Sequence, residues 1–153
     1  MHTFSLETIT TPSRLEPVKN DVTIRKLAFL SQLAAFKDII PGYRIRTLTD
    51  KERAEKVSQM VARTREWEQG LVLVYQSYLR ALEAELKGRY YFAPPPHVPP
   101  LIIHEAKSDL ADVALKCMCT LASDVTHFNF RVNLMACIVA RLSNKSWDEV
   151  SFS

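Results

Sequence analysis

Glycine is scarce in this sequence, with three in 153 residues, at positions 42, 70 and 88. Because they are isolated from one another, they cannot form the glycine-rich loops that hold phosphates in nucleotide-binding folds. No apolar run approaches the length of about 18 residues that a membrane span needs. The first ten residues lack the basic start and apolar core of a secretory signal. We therefore expect a soluble intracellular protein with no membrane segment.

Cysteine and histidine are also few, and their spacing does not suit metal or redox chemistry. The three cysteines lie in apolar, helical-looking segments, which favours reduced thiols in the core over disulfides. Cys117 and Cys119 would point about 200° apart on a helix, a poor geometry for sharing a metal ion. A nucleophile pair of Cys117 or Cys137 with His127 stays open, although the spacing does not favour it. We expect no enzyme, no metal and no cofactor.

The composition is typical of a globular domain, with 47% apolar and 24% charged residues and a net charge of +3. Helical periodicity dominates, so we predict an all-α fold: a HEAT/armadillo-like helical repeat fragment. Residues 1–16 are predicted to be poorly ordered, and residues 17–153 to form a single helical domain. Its predicted helices span residues 20–38, 49–87, 103–123 and 129–143, with a proline-rich linker over 88–102.

The helix over 49–87 is unusually long for a globular domain. Asn20 or Asp21 can cap the helix before it, and Thr49 with Glu52 forms a capping box at its own start. Its inward positions alternate steps of three and four, which predicts either packing along its own domain or self-association through a coiled-coil seam. These positions are Val57, Met60, Thr64, Trp67, Leu71, Val74, Tyr78 and Ala81.

The last two predicted helices form an αα-hairpin, the unit of helical solenoids. For the final helix we predict an inward face of Leu134, Met135, Ile138, Val139 and Leu142. Ser146 and Glu149 are spaced as a further capping box, and the sequence stops soon after it. We therefore expect a fragment of a longer protein.

The stretch FKDIIPGYRIR combines a helix end, a scarce glycine and exposed-type residues. Pro41 disfavours the helical conformation at Ile40, and we expect Gly42 to supply the backbone angles of a reversal. Residues 41–46, called the knuckle below, would then present anchor-type side chains for protein binding. Alternatively, Tyr43 and Ile45 pack beneath the long helix while the arginines pair with carboxylates. The candidate partner-binding residues are Tyr43, Arg44, Arg46, Pro41 and Gly42.

The segment from residue 37 to residue 65 is basic, with eight basic and four acidic side chains, a local charge of +4. Such a patch can bind nucleic acid, because each neutralised phosphate releases counterions. The equally simple alternative is a solvated helix face with i,i+4 pairs such as Glu52 with Lys56. The candidate nucleic-acid-binding residues are Lys37, Arg44, Arg46, Lys51, Arg53 and Lys56.

Two blocks of the sequence resemble a known family. KDIIPGYRIR and the residues after it, together with a downstream stretch around HFNF (residues 127–130), are similar to the N-terminal conserved region of the nucleolar complex protein 3 family. The resemblance covers residues 22 to 142, and both blocks occur in the family's order.

This resemblance implies a non-enzymatic helical scaffold in the nucleolus and nucleoplasm that acts in large ribosomal subunit biogenesis and pre-rRNA processing. By the same analogy, its partners would be nucleolar complex protein 2, pre-60S assembly factors and pre-rRNA. A role in DNA replication initiation, through the origin recognition complex and the MCM helicase, rests on that analogy as well.

Overall fold

The structure, a computed structural model, describes residues 8–11, 14–91 and 100–143. Within these ranges a two-stranded hairpin precedes five helices, and the central helix α4 packs against α1, α3 and α5. The elements are β1 (Thr8–Thr11), β2 (Arg14–Lys19), α1 (Val22–Ile39), α2 (Asp50–Ala54), α3 (Gln59–Tyr91), α4 (Pro100–Asp124) and α5 (Arg131–Ser143).

The hairpin lies where the sequence predicted a poorly ordered segment. β1 and β2 pair antiparallel, with Thr8 opposite Lys19 and Thr11 opposite Arg14, and the register shifts between Ile9 and Thr11. Threonine, isoleucine and valine are β-branched residues that favour extended backbone. Thus the prediction for residues 1–16 missed a strand signal that the threonines carried.

Helix α1 begins and ends where its boundary residues dictate. The Asp21 carboxylate accepts hydrogen bonds from the backbone N–H groups of Thr23 (2.7 Å) and Ile24 (3.4 Å), so Asp21 is the N-cap. These hydrogen bonds lower the pKa of Asp21. Ile40 is extended, as expected of a residue before proline. Gly42 does not have positive φ, so the reversal does not need a glycine, contrary to expectation.

The single helix predicted over residues 49–87 is wrong in its first two turns. Thr49 and Glu52 form the predicted capping box, but α2 ends after five residues, because Glu55 adopts an extended conformation. Ser58 then starts α3: its hydroxyl accepts from Val61 N at 3.4 Å and its carbonyl from Ala62 N at 3.0 Å. Gly88 does not end α3, and α4 includes Pro100, so helices extend into both ends of the predicted linker.

An aromatic cluster joins α1, α3 and the α4–α5 loop. The Phe36 ring lies 5.3 Å from Tyr75 and 5.1 Å from Tyr78, and Tyr75 lies 5.2 Å from Phe128. Tyr78 is fully buried and donates a hydrogen bond to the Phe29 carbonyl at 2.8 Å. Such pairs stabilise a core beyond their buried area, so this cluster fixes the helices around the knuckle.

Burial agrees with the predicted faces in some helices and not in others. α4 buries Leu110, Ala114, Cys117, Met118 and Leu121 as expected. α3 buries Leu71 and Tyr78 of its predicted seam, whereas Met60, Trp67 and Val74 are more than half exposed. α5 buries Leu134 and Ile138 but exposes the other predicted inward residues, Met135, Val139 and Leu142. The predominantly helical fold is thus confirmed, while the HEAT/armadillo-like repeat stays a prediction.

Ion pairs tie α1 to the helices around it. Arg25, itself buried, pairs with Glu85 of α3, and Lys26 Nζ lies 2.8 Å from Asp109 of α4. At the other end of α1, Lys37 Nζ lies 2.7 Å from Asp124. Separately, none of the helices in the described ranges is long and apolar enough to span a membrane.

Candidate functional site

The α4–α5 loop holds the backbone of the knuckle. The Asn129 side-chain amide accepts a hydrogen bond from Ile45 N (3.1 Å) and donates one to the Ile45 carbonyl (2.8 Å). His127 Nε2 lies 2.9 Å from the Pro41 carbonyl oxygen, and a carbonyl can only accept, so His127 donates. Three hydrogen bonds from two loop residues therefore fix both ends of the knuckle.

Packing and backbone geometry position this loop. Phe128 is buried against Tyr75, and its N–H donates to the Val125 carbonyl, which closes a tight turn. Phe130 has φ of 66°, in the left-handed region, where bulky residues are uncommon. Its carbonyl accepts from Leu134 N and so starts α5. The strained Phe130 allows α5 to begin directly after the residues that hold the knuckle.

The knuckle buries the side chain of Ile45 and leaves the side chains around it exposed to solvent. Ile45 is 4% exposed and belongs to the core. Tyr43 is 53% exposed, and its hydroxyl donates to Glu68 of α3 at 2.6 Å, which raises the Tyr43 pKa. Of the packing alternative, Ile45 is buried in the core as expected, whereas the Tyr43 ring stays accessible.

Arg46 joins the knuckle to α2. Its guanidinium donates two hydrogen bonds to the Glu52 carboxylate, which also accepts from the Thr49 N–H (3.0 Å) and hydroxyl (2.9 Å). The Arg46 hydrogen bond and those from Thr49 lower the Glu52 pKa to about 2. Arg65 of α3 donates to the Glu52 carbonyl at 2.9 Å. Glu52 thus connects the knuckle, α2 and the first turns of α3.

The basic patch is partly neutralised by its own neighbours. Lys37 pairs with Asp124, Arg46 with Glu52, and Arg53 lies 4.0 Å from Asp50. Three other candidate nucleic-acid-binding residues, Arg44, Lys51 and Lys56, are exposed and form no ion pair within the part of the chain that the structure describes. The local charge of +4 is therefore carried by fewer unpaired cations than the sequence suggested.

Three residues that shape the site were not among the predicted site residues: His127, Asn129 and Glu68. His127 was considered only as part of a nucleophile pair, but it lies in a turn and its ring binds the Pro41 carbonyl. The available signal was the HFNF block, whose polar residues alternate with phenylalanines. Once the phenylalanines pack inward, the alternating polar side chains face the knuckle across the loop.

The candidates for chemistry among the described residues are the cysteines and His127. No group of His, Cys, Asp and Glu in this part of the chain could hold a metal ion. Cys117 is buried, which raises the pKa of its thiol, whereas Cys119 is exposed and so is not the core thiol that was predicted. His127 binds a backbone carbonyl and no thiol. The site is suited to presenting surface side chains on a fixed backbone.

Comparison with known proteins gives consistent matches. The family model described as nucleolar complex-associated protein matches residues 5–78, which include the knuckle. Nucleolar complex-associated protein 3 of Arabidopsis thaliana is 43% identical over 127 residues, 83% of this chain and 13% of the relative. Nucleolar complex protein 3 homolog of Xenopus laevis is 38% identical over 124 residues, 81% of this chain and 15% of the relative.

A fungal relative extends the same comparison. Nucleolar complex-associated protein 3 of Saccharomyces cerevisiae is 38% identical over 117 residues, 76% of this chain and 16% of the relative. This chain therefore spans only between 13% and 16% of the length of these curated relatives. Whatever the whole relatives do can involve residues that have no counterpart here.

Proposed function

Because this chain belongs to the nucleolar complex protein 3 family, we propose that it is a non-enzymatic protein-interaction region of a nucleolar protein that acts in large ribosomal subunit biogenesis and pre-rRNA processing. Nucleolar complex protein 2 and pre-60S assembly factors are the proposed partners. The origin recognition complex and the MCM helicase are further proposed partners, should the same region serve DNA replication initiation in the nucleoplasm.

The observation that carries this proposal is the exposure of Tyr43 and Arg44 on a backbone that is held in place. Asn129 and His127 bind the backbone on either side of them. Tyrosine and arginine are the residue types that most often anchor protein interfaces. A backbone fixed in advance loses little conformational entropy on binding, so such anchors gain affinity. These properties favour docking to a protein over a purely structural corner.

The test is a pull-down from nuclear extract with the 153-residue chain and its Tyr43→Ala/Arg44→Glu variant, each with and without RNase. Arg44 forms no ion pair among the described residues, and Tyr43 loses only an exposed hydrogen bond, so the variant should remain folded. Circular dichroism checks this. We expect large-subunit assembly factors to be retained by the unchanged chain through RNase treatment and lost by the variant.

Arg63→Glu is the matched control, because Arg63 is an exposed cation of the same basic segment outside the knuckle. It applies the same charge reversal at a different place. Equal recovery by the unchanged chain and the Tyr43→Ala/Arg44→Glu variant would contradict docking through the knuckle. Equal loss by the Arg63→Glu and knuckle variants would point to charge in general.

A second candidate function is direct nucleic-acid binding, favoured by the unpaired Arg44, Lys51 and Lys56. Binding through these cations would weaken steeply as salt concentration rises and would show little sequence preference. Fluorescence anisotropy with labelled single-stranded RNA at several salt concentrations measures both properties. Loss of all captured factors on RNase treatment would favour this function over protein docking.

A further inference from the structure

Helix α5 is apolar on two sides, and only one of them faces the core. Leu134 and Ile138 are buried. A second set, spaced by three, four and three residues, lies along another side of the helix and is between 44% and 80% exposed. It consists of Val132, Met135, Val139 and Leu142, called the α5 stripe below. A helix that is hydrophobic around most of its circumference normally has a second packing partner.

A groove adjoins this stripe. A cavity of about 330 Å³ lies between α3 and α5, and Leu86, Ala136, Cys137 and Ala140 contribute its apolar lining. Ala136 and Ala140 follow Val132 at intervals of four residues, so the small side chains lie next to the stripe. Small residues leave room for a large side chain from outside. The stripe and the cavity therefore adjoin along α5, and together they are called the α5 groove; Glu83, Lys87 and Arg141 complete the cavity lining.

The α5 side of the groove is basic, whereas its α3 side carries one basic and one acidic residue, Lys87 and Glu83. α5 contains Arg131 and Arg141 and no acidic residue. Lys87 borders the cavity from α3 and is ion-paired to Glu83 at 2.7 Å. Arg131, near the start of the stripe, is exposed. A ligand with acidic groups beside its apolar face would therefore match this surface in both polarity and charge.

A second copy of this chain matches the α5 groove less well. Two α5 helices packed through the stripe, in either direction, would offer the arginines no acidic partner on the facing helix, because α5 has no acidic residue. The 13-residue helix is about 20 Å long and about 10 Å wide. Its face is far below the roughly 800 Å² per partner of a stable protein–protein interface. An amphipathic helix that lays its apolar face into a hydrophobic groove is an established mode of peptide recognition.

We infer that the α5 groove binds an amphipathic helix of a partner protein, with apolar residues at i, i+3 or i+4, and i+7 and with Asp or Glu beside them. The apolar residues contact the α5 stripe, and one of them fills the cavity between α3 and α5. The acidic residues lie against Arg131. This surface uses none of the knuckle residues, so it can bind a helix whether or not the knuckle docks.

Site-specific photo-crosslinking tests this inference and identifies the bound peptide in the same experiment. The photoreactive residue p-benzoylphenylalanine replaces Val139 in the full chain, expressed in a eukaryotic host cell, and the cross-linked peptide is sequenced by mass spectrometry. The same residue at position 66, an exposed site on α3, is the control. We expect position 139, and not position 66, to cross-link to a peptide with the apolar spacing and acidic residues described above.

The charge requirement is tested with a synthetic copy of the cross-linked peptide and fluorescence anisotropy. We expect Arg131→Glu to weaken binding about tenfold or more, and Arg63→Glu to leave it within about twofold. The Tyr43→Ala/Arg44→Glu variant should keep the cross-link, which separates this inference from the proposed function of the knuckle. A cross-link to residues 144–153 of this chain, to a second copy or to a peptide without acidic residues would overturn the inference. So would equal yields at positions 139 and 66, or equal binding by both arginine variants.

Discussion

Asn129 and Ile45 are 84 residues apart in the sequence and are joined by two hydrogen bonds, of 3.1 and 2.8 Å. The side-chain amide of Asn129 pairs with the N–H and the carbonyl of Ile45, much as a neighbouring strand would. Ile45 is buried, so its backbone groups have little access to water as an alternative partner. Through this contact the HFNF block and the IPGYRIR block form a single structural unit.

We expect Asn129→Ala to destabilise the protein by about 1–3 kcal/mol, because it leaves two partly buried backbone groups of Ile45 without a partner. Urea denaturation followed by circular dichroism measures the change in the free energy of unfolding. Asn133→Ala is the matched control: Asn133 is an exposed asparagine of α5, and its replacement should change stability by less than about 0.5 kcal/mol. Equal effects of the two substitutions would refute the importance of the Asn129–Ile45 contact.

Local signals in the sequence located three of the helix ends. Asp21 caps α1, Pro41 leaves Ile40 extended, and Thr49 with Glu52 forms a capping box, all as their side chains require. The break between α2 and α3 was missed because residues 55–58 contain neither proline nor glycine. Ser58 was the available sign, since serine is a preferred N-cap. The Arg65–Glu52 hydrogen bond that accompanies the break is tertiary and has no local signature.

Which helix face is buried was harder to predict than where a helix lies. The exposed α5 stripe and the buried Leu134 and Ile138 are equally apolar, so periodicity alone cannot tell which of them meets the core. The contact between the knuckle and the loop depends likewise on packing across 84 residues. The resemblance identified both blocks, but only the fold shows that they touch. Tyr43, Arg44 and Arg46 are exposed, and their role in binding stays a prediction, whereas Asn129 was not predicted.

Gly42→Ala separates a structural need for glycine from a functional one. Gly42 lacks positive φ, and an added Cβ would meet no atom within 4 Å. We therefore expect the substitution to leave the free energy of unfolding unchanged, or to raise it by about 0.4–1 kcal/mol through a less flexible unfolded chain. Thermal and urea denaturation measure this. A folded Gly42→Ala protein that loses the assembly factors in the pull-down would indicate that a partner approaches the backbone there.

Gly70→Ala is the companion substitution within α3. Gly70 also has open space around its Cβ position and lies inside a helix, where alanine is favoured over glycine by about 1 kcal/mol. We expect a stabilisation of about that size and an unchanged pull-down. A destabilised Gly70→Ala protein would mean that the first part of α3 is not the regular, solvent-facing helix described above.

The low pKa of Glu52 predicts a stability change in acid. Its folded-state pKa is about 2, below the ordinary value of 4.5, so the ionised carboxylate favours the folded state. That contribution is fully present above pH 4.5 and is lost as pH falls through about 2. Carbon-13 NMR titration of the Glu52 carboxyl measures the pKa directly. Arg46→Ala should raise it towards 4.5, whereas Arg53→Ala, which removes a cation next to Asp50, should not.

The exposed half of the α3 seam predicts weak self-association of the chain. Met60, Trp67 and Val74 are spaced as seam residues and are 79%, 51% and 56% exposed, while Leu71 between them is buried in the core. Only a few turns are therefore available for pairing, and so short a seam cannot hold a tight dimer. We expect sedimentation equilibrium to show association only at high protein concentration.

Trp67→Glu should abolish this association, because it places a charge in the middle of the seam, and should leave the free energy of unfolding within about 0.5 kcal/mol of its original value. Leu73→Glu is the matched control, since Leu73 is 64% exposed on the same helix but lies off the seam. Equal loss of association in both variants would assign it to general surface hydrophobicity. Association unaffected by Trp67→Glu would exclude the α3 seam, and the α5 stripe, the other exposed apolar helix face described above, would become the surface to vary next.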